Sequence, residues 1–229
     1  MKNKTLWKQV GAAAIAAAMV MSTVPATPVQ AAGGKTLAVS SQKQLNQALK
    51  TVKGKNAVIT VKAGKNVKIT IPKGTYKVTI RVVGKKAAVV NNGTVKEIVV
   101  NSKGTVAIKN NGTIKKVTVQ NAKSVSFSGN CKKAVPVVVN AEDVSMILAA
   151  PAKITAKKDV NIVLKKGAEK SSIMCKKNAQ AQVDNQTKKA ISVKIADGTT
   201  LKVESGESCT ITPKGKKEDT SGEDKTDEK

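Results

Sequence analysis

Apolar residues in this chain alternate with polar ones within short runs, and the runs themselves recur about every nineteen residues. One series reads Val67-Lys68-Ile69, Ala87-Ala88-Val89, Val106-Ala107-Ile108, Val125-Ser126-Phe127 and Val144-Ser145-Met146. A second reads Ile59-Thr60-Val61, Val78-Thr79-Ile80, Ile98-Val99-Val100, Val117-Thr118-Val119 and Val137-Val138-Val139. Alternation over a few β-branched residues marks a strand with one buried face. Gly, Asn, Lys and Ser between the runs supply turns. Residues 91–109 (NNGTVKEIVVNSKGTVAIK) and 110–128 (NNGTIKKVTVQNAKSVSFS) match at seven of nineteen positions, so the unit is a true repeat. A strand-and-turn unit of this size cannot bury its own apolar face, whereas stacked copies can. The pattern therefore predicts an all-β chain, a parallel β-helix over 57–213 with about eight coils. The spacing loosens after residue 147, where Ile154 and Val160 arrive early, and resumes at Ile191–Ile195 and Leu201–Val203.

The flanks read differently. Leu45, Ala48, Leu49 and Val52 fall at helical spacing, and Ser41 with Gln44 fits a capping box. Within the segment 32–56 this predicts a helix laid across the open N-terminal end of the coil stack. From Lys214 the sequence KGKKEDTSGEDKTDEK has no large apolar residue, so 214–229 is expected to be a disordered charged tail. At the other end, Lys2, Lys4 and Lys8 precede an apolar run from Val10 to Val20 and a small-residue site at Val29-Gln30-Ala31. This predicts a signal peptide over 1–31, and the run is short against the roughly 20 residues of a spanning helix. The chain is expected to be secreted, extracellular or loosely cell-wall associated, with no transmembrane segment.

Composition narrows the chemistry. Lys and Arg number 41 against 15 Asp and Glu, a net charge of +26, and Arg81 is the sole arginine. With no histidine in the sequence, Ser-His-Asp and Cys-His nucleophiles and histidine metal sites are excluded. Trp7, Tyr76 and Phe127 are the only aromatics, too few for a stacking platform. Cys131, Cys175 and Cys209 match no zinc spacing and allow at most one bridge; they are expected to pack as small hydrophobes. No cofactor and no metal is implied.

The runs SSQKQLNQALKT, AVITVKAGKNVKITIPKGTYKVTI and NNGTVKEIVV carry a likeness. They resemble the right-handed parallel β-helix of the pectin-lyase-like superfamily, and more narrowly the Lys-rich β-helix proteins secreted by anaerobic Gram-positive bacteria. That resemblance implies a right-handed coil with an N-terminal capping helix. It also raises polysaccharide cleavage, which the residues disfavour. The Asn-Thr-Asp, Gly-Asp-Asp and Gly-His-Gly motifs of polygalacturonases and the Arg-x-Pro-x-x-Arg run of pectate lyases are missing. Acids within the repeats are scattered, with Glu142-Asp143 the only adjacent pair, at a turn where neighbouring side chains diverge. No catalytic residue is assigned and the chain is read as a non-enzyme, with a pectate-lyase-like enzyme the least favoured alternative.

The charge is patterned. After residue 31 no acid occurs before Glu97, and Lys77, Lys96 and Lys115 stand nineteen apart, with Lys133 and Lys153 following at steps of 18 and 20. Coils rise about 4.8 Å, inside the Debye length of about 8 Å at physiological salt. Such a column repels itself unless the side chains splay or an extended polyanion lies along it. Lys85, Lys86, Lys116 and Lys132 thicken the field. The expected partner is an anionic polysaccharide or cell-wall polymer (an acidic glycan, teichoic acid or mucin), bound in a salt-sensitive way by a monomeric adhesin or wall-associated module. No physiological nucleic acid is expected. The alternative is a spacer protein whose lysines only keep it soluble. Asn92, Asn111 and Asn130 also repeat at nineteen, beside Asn91 and Asn110, and predict an amide ladder.

Overall fold

The computed structural model describes residues 35–63 and 67–218. The expected signal segment and residues 219–229 of the expected tail lie outside the described residues. Among the described residues the first elements are β1 (Lys35–Val39) and α1 (Gln42–Thr51). It continues through β2 (Ala57–Ala63), β3 (Val67–Ile71), β4 (Thr75–Gly84), β5 (Lys86–Asn91), β6 (Thr94–Asn101) and β7 (Thr105–Asn110). Next come β8 (Thr113–Ile114), β9 (Val117–Asn121), β10 (Ser124–Ser128), β11 (Val135–Val139), β12 (Val144–Ala149), β13 (Ala152–Ala156) and β14 (Val160–Leu164). The last are β15 (Ser172–Cys175), β16 (Ala181–Asn185), β17 (Ile191–Lys194), β18 (Thr200–Val203), β19 (Ser208–Thr212) and β20 (Gly215–Glu218).

One sheet has the order β1-β2-β4-β6-β9-β11-β13-β15-β17-β18, with β8 beside β6; the other runs β3-β5-β7-β10-β12-β14-β16-β19-β20. Each circuit of the chain adds a parallel strand to each sheet, giving a β-solenoid of about eight turns. Register stacks like on like. Ile59, Ile80, Ile98, Val117, Val137, Ile154, Ile173 and Val193 form one inward column, all buried. Ile69, Val89, Ile108, Phe127, Leu148 and Leu164 face it from the other sheet. Each large side chain buried there contributes about 1.5–3 kcal/mol, as an upper estimate.

The register corrects two of the sequence alignments. Ile59 lies opposite Ile80 rather than Val78, and Val125 opposite Met146 rather than Val144. Turns differ in length from coil to coil, and the strands take up the difference so that apolar residues stay inside. The early arrival of Ile154 and Val160 has the same cause. Only Ala150 and Pro151 join β12 to β13, which shortens the circuit while Ile154 still pairs with Val137.

Both ends are closed. Leu45, Ala48 and Leu49 of α1 are buried, as is Val52 just beyond it. Ser41 Oγ accepts from Gln44 N–H at 3.3 Å, while Gln44 Oε1 accepts from Ser40 N–H at 2.7 Å, one residue earlier than a standard box. The Gln42 amide meets the free edge of β3, donating to Thr70 O at 2.8 Å and accepting from Thr70 N at 2.6 Å. It stands in for a missing strand, while β1, which the sequence pattern does not predict, covers the edge of β2. The Gln42 amide thus blunts the edge of β3, while β1 becomes the outermost strand of its own sheet. Among the described residues no helix is long and apolar enough to cross a membrane.

The C-terminal end departs from the expectation of uniform parallel coils to residue 213. Leu201–Val203 lies on β18, which returns antiparallel on β17; β19 is antiparallel to β16, and β20 to β19. Gly215–Glu218, expected in the tail, is therefore a strand. Main-chain pairing needs no apolar side chain, and the Pro213-Lys214 turn delivers it to the edge of β19. Buried Asn185 organises this cap: its Nδ2 donates to the carbonyls of Lys189, Val203 and Glu204, each at 2.9 Å. Its Oδ1 accepts from Thr187 N and Oγ1. Glu207, between β18 and β19, pairs with Lys216 of β20 and accepts from Glu204 N–H at 2.6 Å.

The amide ladder lies inside the neighbouring position. Asn91 Nδ2 donates to Asn110 Oδ1 at 2.8 Å, and Asn110 Nδ2 reaches Cys131 Sγ at 3.3 Å, both asparagines being buried. Asn111 Nδ2 donates to Asn92 Oδ1 at 3.0 Å on the surface, while Asn130 is exposed on the loop that follows β10. A one-residue offset separates the ladder that bears load from the one with the cleaner repeat.

Asn110→Ala strips a buried partner from Asn91, and a loss of about 1–3 kcal/mol is expected in denaturant titration. Asn111→Ala, in water already, should stay within about 0.5 kcal/mol. Equal effects would contradict the inner ladder. Lys216, and then the Glu204 N–H, hold the Glu207 carboxyl below its usual range. The clamp's contribution is thus complete above the ordinary carboxylate range and disappears as pH falls through the lowered value. Hydrogen exchange should show 208–218 opening on acidification before the coils do, and Glu207→Gln should open it at neutral pH.

Candidate functional site

Before entering the main sheet, three successive circuits make a short ladder of their own. Thr75 pairs with Thr94 and Thr94 with Thr113, while Tyr76, Val95 and Ile114 stack beside them. The Asn-Gly turns leading into it approach too closely for any side chain. A Cβ on Gly112 would lie 2.1 Å from Gly93 O, and one on Gly93 would lie 2.5 Å from Pro72 O. Past the ladder the chain bends, through a register shift between Tyr76 and Thr79 in β4 and through the Lys115-Lys116 break between β8 and β9.

Lys77, Lys96 and Lys115 occupy this bend, all exposed. The shift sets Lys77 beside Lys96, and Lys115 N–H donates to Val95 O at 3.1 Å, which places Lys115 next to Lys96. These three form the expected column. The other two expected members do not continue it. Lys153 pairs with Pro136 and Ser172 on the outer face of the sheet. Lys133 sits on the loop 129–134, where the fourth circuit has no counterpart of β8.

That loop nevertheless brings Lys133 back. With Lys132 it faces Lys115 across a groove of about 660 Å³, lined also by Asn111, Thr113 and Asn130. Register alone missed this, because the convergence comes from an irregular loop. A second groove, of about 540 Å³, lies at the other end of the ladder between α1 and the 72–76 turn, with Lys50, Lys53, Lys73, Asn46 and Tyr76 on its walls. The sequence reading assigned no role to these three lysines. The signal was present in Lys50 and Lys53 at the C-terminal end of the helix, but only the cap's docking puts them beside Lys73.

Lys85 and Lys86 belong elsewhere, at the far edge beyond β4. Lys86 pairs with Thr105, and Lys85 O accepts from Thr105 N–H at 3.0 Å. Lys116 is drawn into an ion pair with Glu97 at 3.3 Å, and Thr118 Oγ1 donates to the same carboxylate at 2.5 Å. Glu97 is the only acid in the sequence between residues 32 and 141, and among the described residues its pairing with Lys116 leaves Lys77, Lys96 and Lys115 as the unpaired charges of the bend. Arg81 stands opposite Val99 on the same outer face, its Nε buried and without a hydrogen-bond partner.

The acids Glu142, Asp143 and Asp159 come together with Lys158 and Asn178 around a small pocket of about 180 Å³. Glu142 turns to Lys158 at 2.6 Å, which lowers its carboxyl below the ordinary range, while Asp143 takes a left-handed backbone with φ of 52°. Among the described residues no group of three His, Cys, Asp or Glu could hold a metal. None of the three cysteines is in a disulfide. Burial pushes the Cys175 thiol up to about 11, and burial also raises Cys131, partly offset by the Asn110 hydrogen bond. Comparison with protein families, curated proteins and solved structures finds no match for this chain.

Thiol reactivity should follow this order. In native protein at pH 8, iodoacetamide is expected to modify half-buried Cys131 slowly and to leave Cys175 intact until denaturant is added. Mass spectrometry showing Cys175 alkylated first would contradict the placement of the two thiols.

Proposed function

We propose that this protein is a secreted, non-catalytic β-solenoid that binds anionic polymers, acting as an adhesin or wall-associated module. One observation carries the reading: an acid-free strip of exposed lysines follows the bend from Lys77 through Lys96 to Lys115 and ends in the groove with Lys132 and Lys133. Repetition places one lysine on each of three successive coils, whose backbones are about 4.8 Å apart. Like charges at that distance repel, and an extended polyanion relieves the repulsion along the whole line while releasing counterions. Lysine gives point charge without the fork of arginine, so recognition is salt-sensitive and tolerant of the anion's shape. Acidic glycans, teichoic acids and mucin share that chemistry.

Within this proposal the chain is a relation in shape of the right-handed, pectin-lyase-like β-helix, without the acids its enzymes use. The spacer reading keeps one observation in its favour. The outward column Ala88, Ala107, Ser126, Ile147 and Val163 carries no charge over five coils, as suits an inert wall.

Salt-titrated binding of the 32–229 chain to heparin, teichoic acid and a neutral glucan separates the two. Retention of an anionic polymer at 150 mM salt, with at least about a tenfold loss on Lys96→Glu/Lys115→Glu, is expected. Release of every polymer below that salt would make the lysines a solubility device.

A further inference from the structure

The two lysine grooves stand at opposite ends of one short ladder, and their placement says more than the charge does. Thr75 lines the first groove and Thr113 the second. These residues share a column two coil steps apart, with Thr94 between, so they are about 10 Å apart along the stack. The outer walls lie further out, on α1 at one end and on the 129–134 loop at the other. Each groove offers three ammonium groups: Lys50, Lys53 and Lys73, or Lys115, Lys132 and Lys133. Each also offers neutral hydrogen-bonding side chains, Asn46, Thr75 and Tyr76 in one and Asn111, Thr113 and Asn130 in the other. Between them Lys77 and Lys96 continue the positive line along the bend, while Glu97 is held by Lys116 and Thr118 on the neighbouring column.

We infer that the grooves are two halves of one bivalent site, which captures a single linear acidic glycan lying parallel to the coil stack. This rests on the polyanion reading above and adds to it a location, a direction and a minimum ligand length. Three exposed lysines in high dielectric hold a short anion weakly. A chain long enough to reach both grooves makes the second engagement intramolecular, so affinity rises in a step rather than smoothly. The neutral Asn, Thr and Tyr groups suit hydroxyls, which favours a glycan over a polyphosphate. Neither groove is a product of the repeat. One needs the docked helix and the other needs the circuit that lacks a short strand, so the ladder is bracketed only because both irregularities are present.

Heparin-derived oligosaccharides of two to ten sugars, titrated calorimetrically into the 32–229 chain at 150 mM salt, test this. The expected result is a step of at least about tenfold in affinity once the ligand spans both grooves, followed by a plateau. The triple variant Lys50→Gln/Lys53→Gln/Lys73→Gln should remove the step while disaccharide binding persists. Lys115→Gln/Lys132→Gln/Lys133→Gln should do the same from the other end. A control, Lys165→Gln/Lys166→Gln/Lys170→Gln, neutralises three lysines of a later turn and should keep the step. Affinity that climbs smoothly with length, or long-chain binding unaffected by either groove triple, would overturn the bivalent site and leave a diffuse basic field. Failure of intact heparin to bind at this salt would instead remove the polyanion reading itself.

Discussion

In-register stacking brings the side chain at each position within about 4.8 Å of its counterpart on the next coil, so the molecule is governed by which side chains tolerate their own kind. Inside, Val and Ile do: the column from Ile59 to Val193 is apolar throughout and keeps its register while circuits vary from 17 to 21 residues. Asparagine does too, because its amide is both donor and acceptor: Asn91 donates to Asn110 in a buried position, and the turn residues Gly93 and Gly112 and the Cys131 thiol complete their partners. Lysine does not. Where it stands on an outer strand face, as at Lys68, Lys109 and Lys153, its ladder neighbours are uncharged, and lysine meets lysine at the bend, where side chains can spread.

The same constraint accounts for the ends. A stack of parallel strands leaves an unpaired edge on each sheet at each end. At the start, the Gln42 amide of α1 occupies the β3 edge and short β1 becomes the outermost strand of the other sheet; at the finish, the chain reverses into antiparallel β18, β19 and β20 around buried Asn185. Closing the first end also creates a groove, since the helix that covers the core sets Lys50 and Lys53 against Lys73. Stability and the candidate site therefore share one element. The second groove arises where the repeat lapses, in the six residues between β10 and β11.

Much of this was legible in the sequence because a repeat amplifies its own signal. Two-residue alternation at a near-constant period identifies the two series of strands and the stack, and the spacing of Leu45, Ala48 and Leu49 identifies the cap. Identity at nineteen residues also finds Lys77, Lys96 and Lys115. It fails where register depends on turn length. Lys153 keeps the period yet faces away, and Val78 and Val144 are displaced by two residues from the positions their spacing suggests. It fails again for β1 and β20, whose pairing is by main chain, to which composition is blind. Of the groove lysines, Lys115, Lys132 and Lys133 stand out in the sequence, whereas Lys50, Lys53 and Lys73 share no spacing and meet only through the docking of the helix.

Charge is distributed unevenly along the stack. The sequence from 35 to 141 holds 21 Lys and Arg against one acid, whereas 142–218 holds 15 against 9. The first circuits thus carry the field, and the later ones are closer to balance. Lysine footprinting tests this division most directly, comparing acetylation of the 32–229 chain with and without heparin at 150 mM salt. Protection is predicted at Lys73, Lys77, Lys96, Lys115, Lys132 and Lys133, with Lys165, Lys166, Lys176 and Lys177 unchanged. Equal protection of both groups would contradict a defined binding strip.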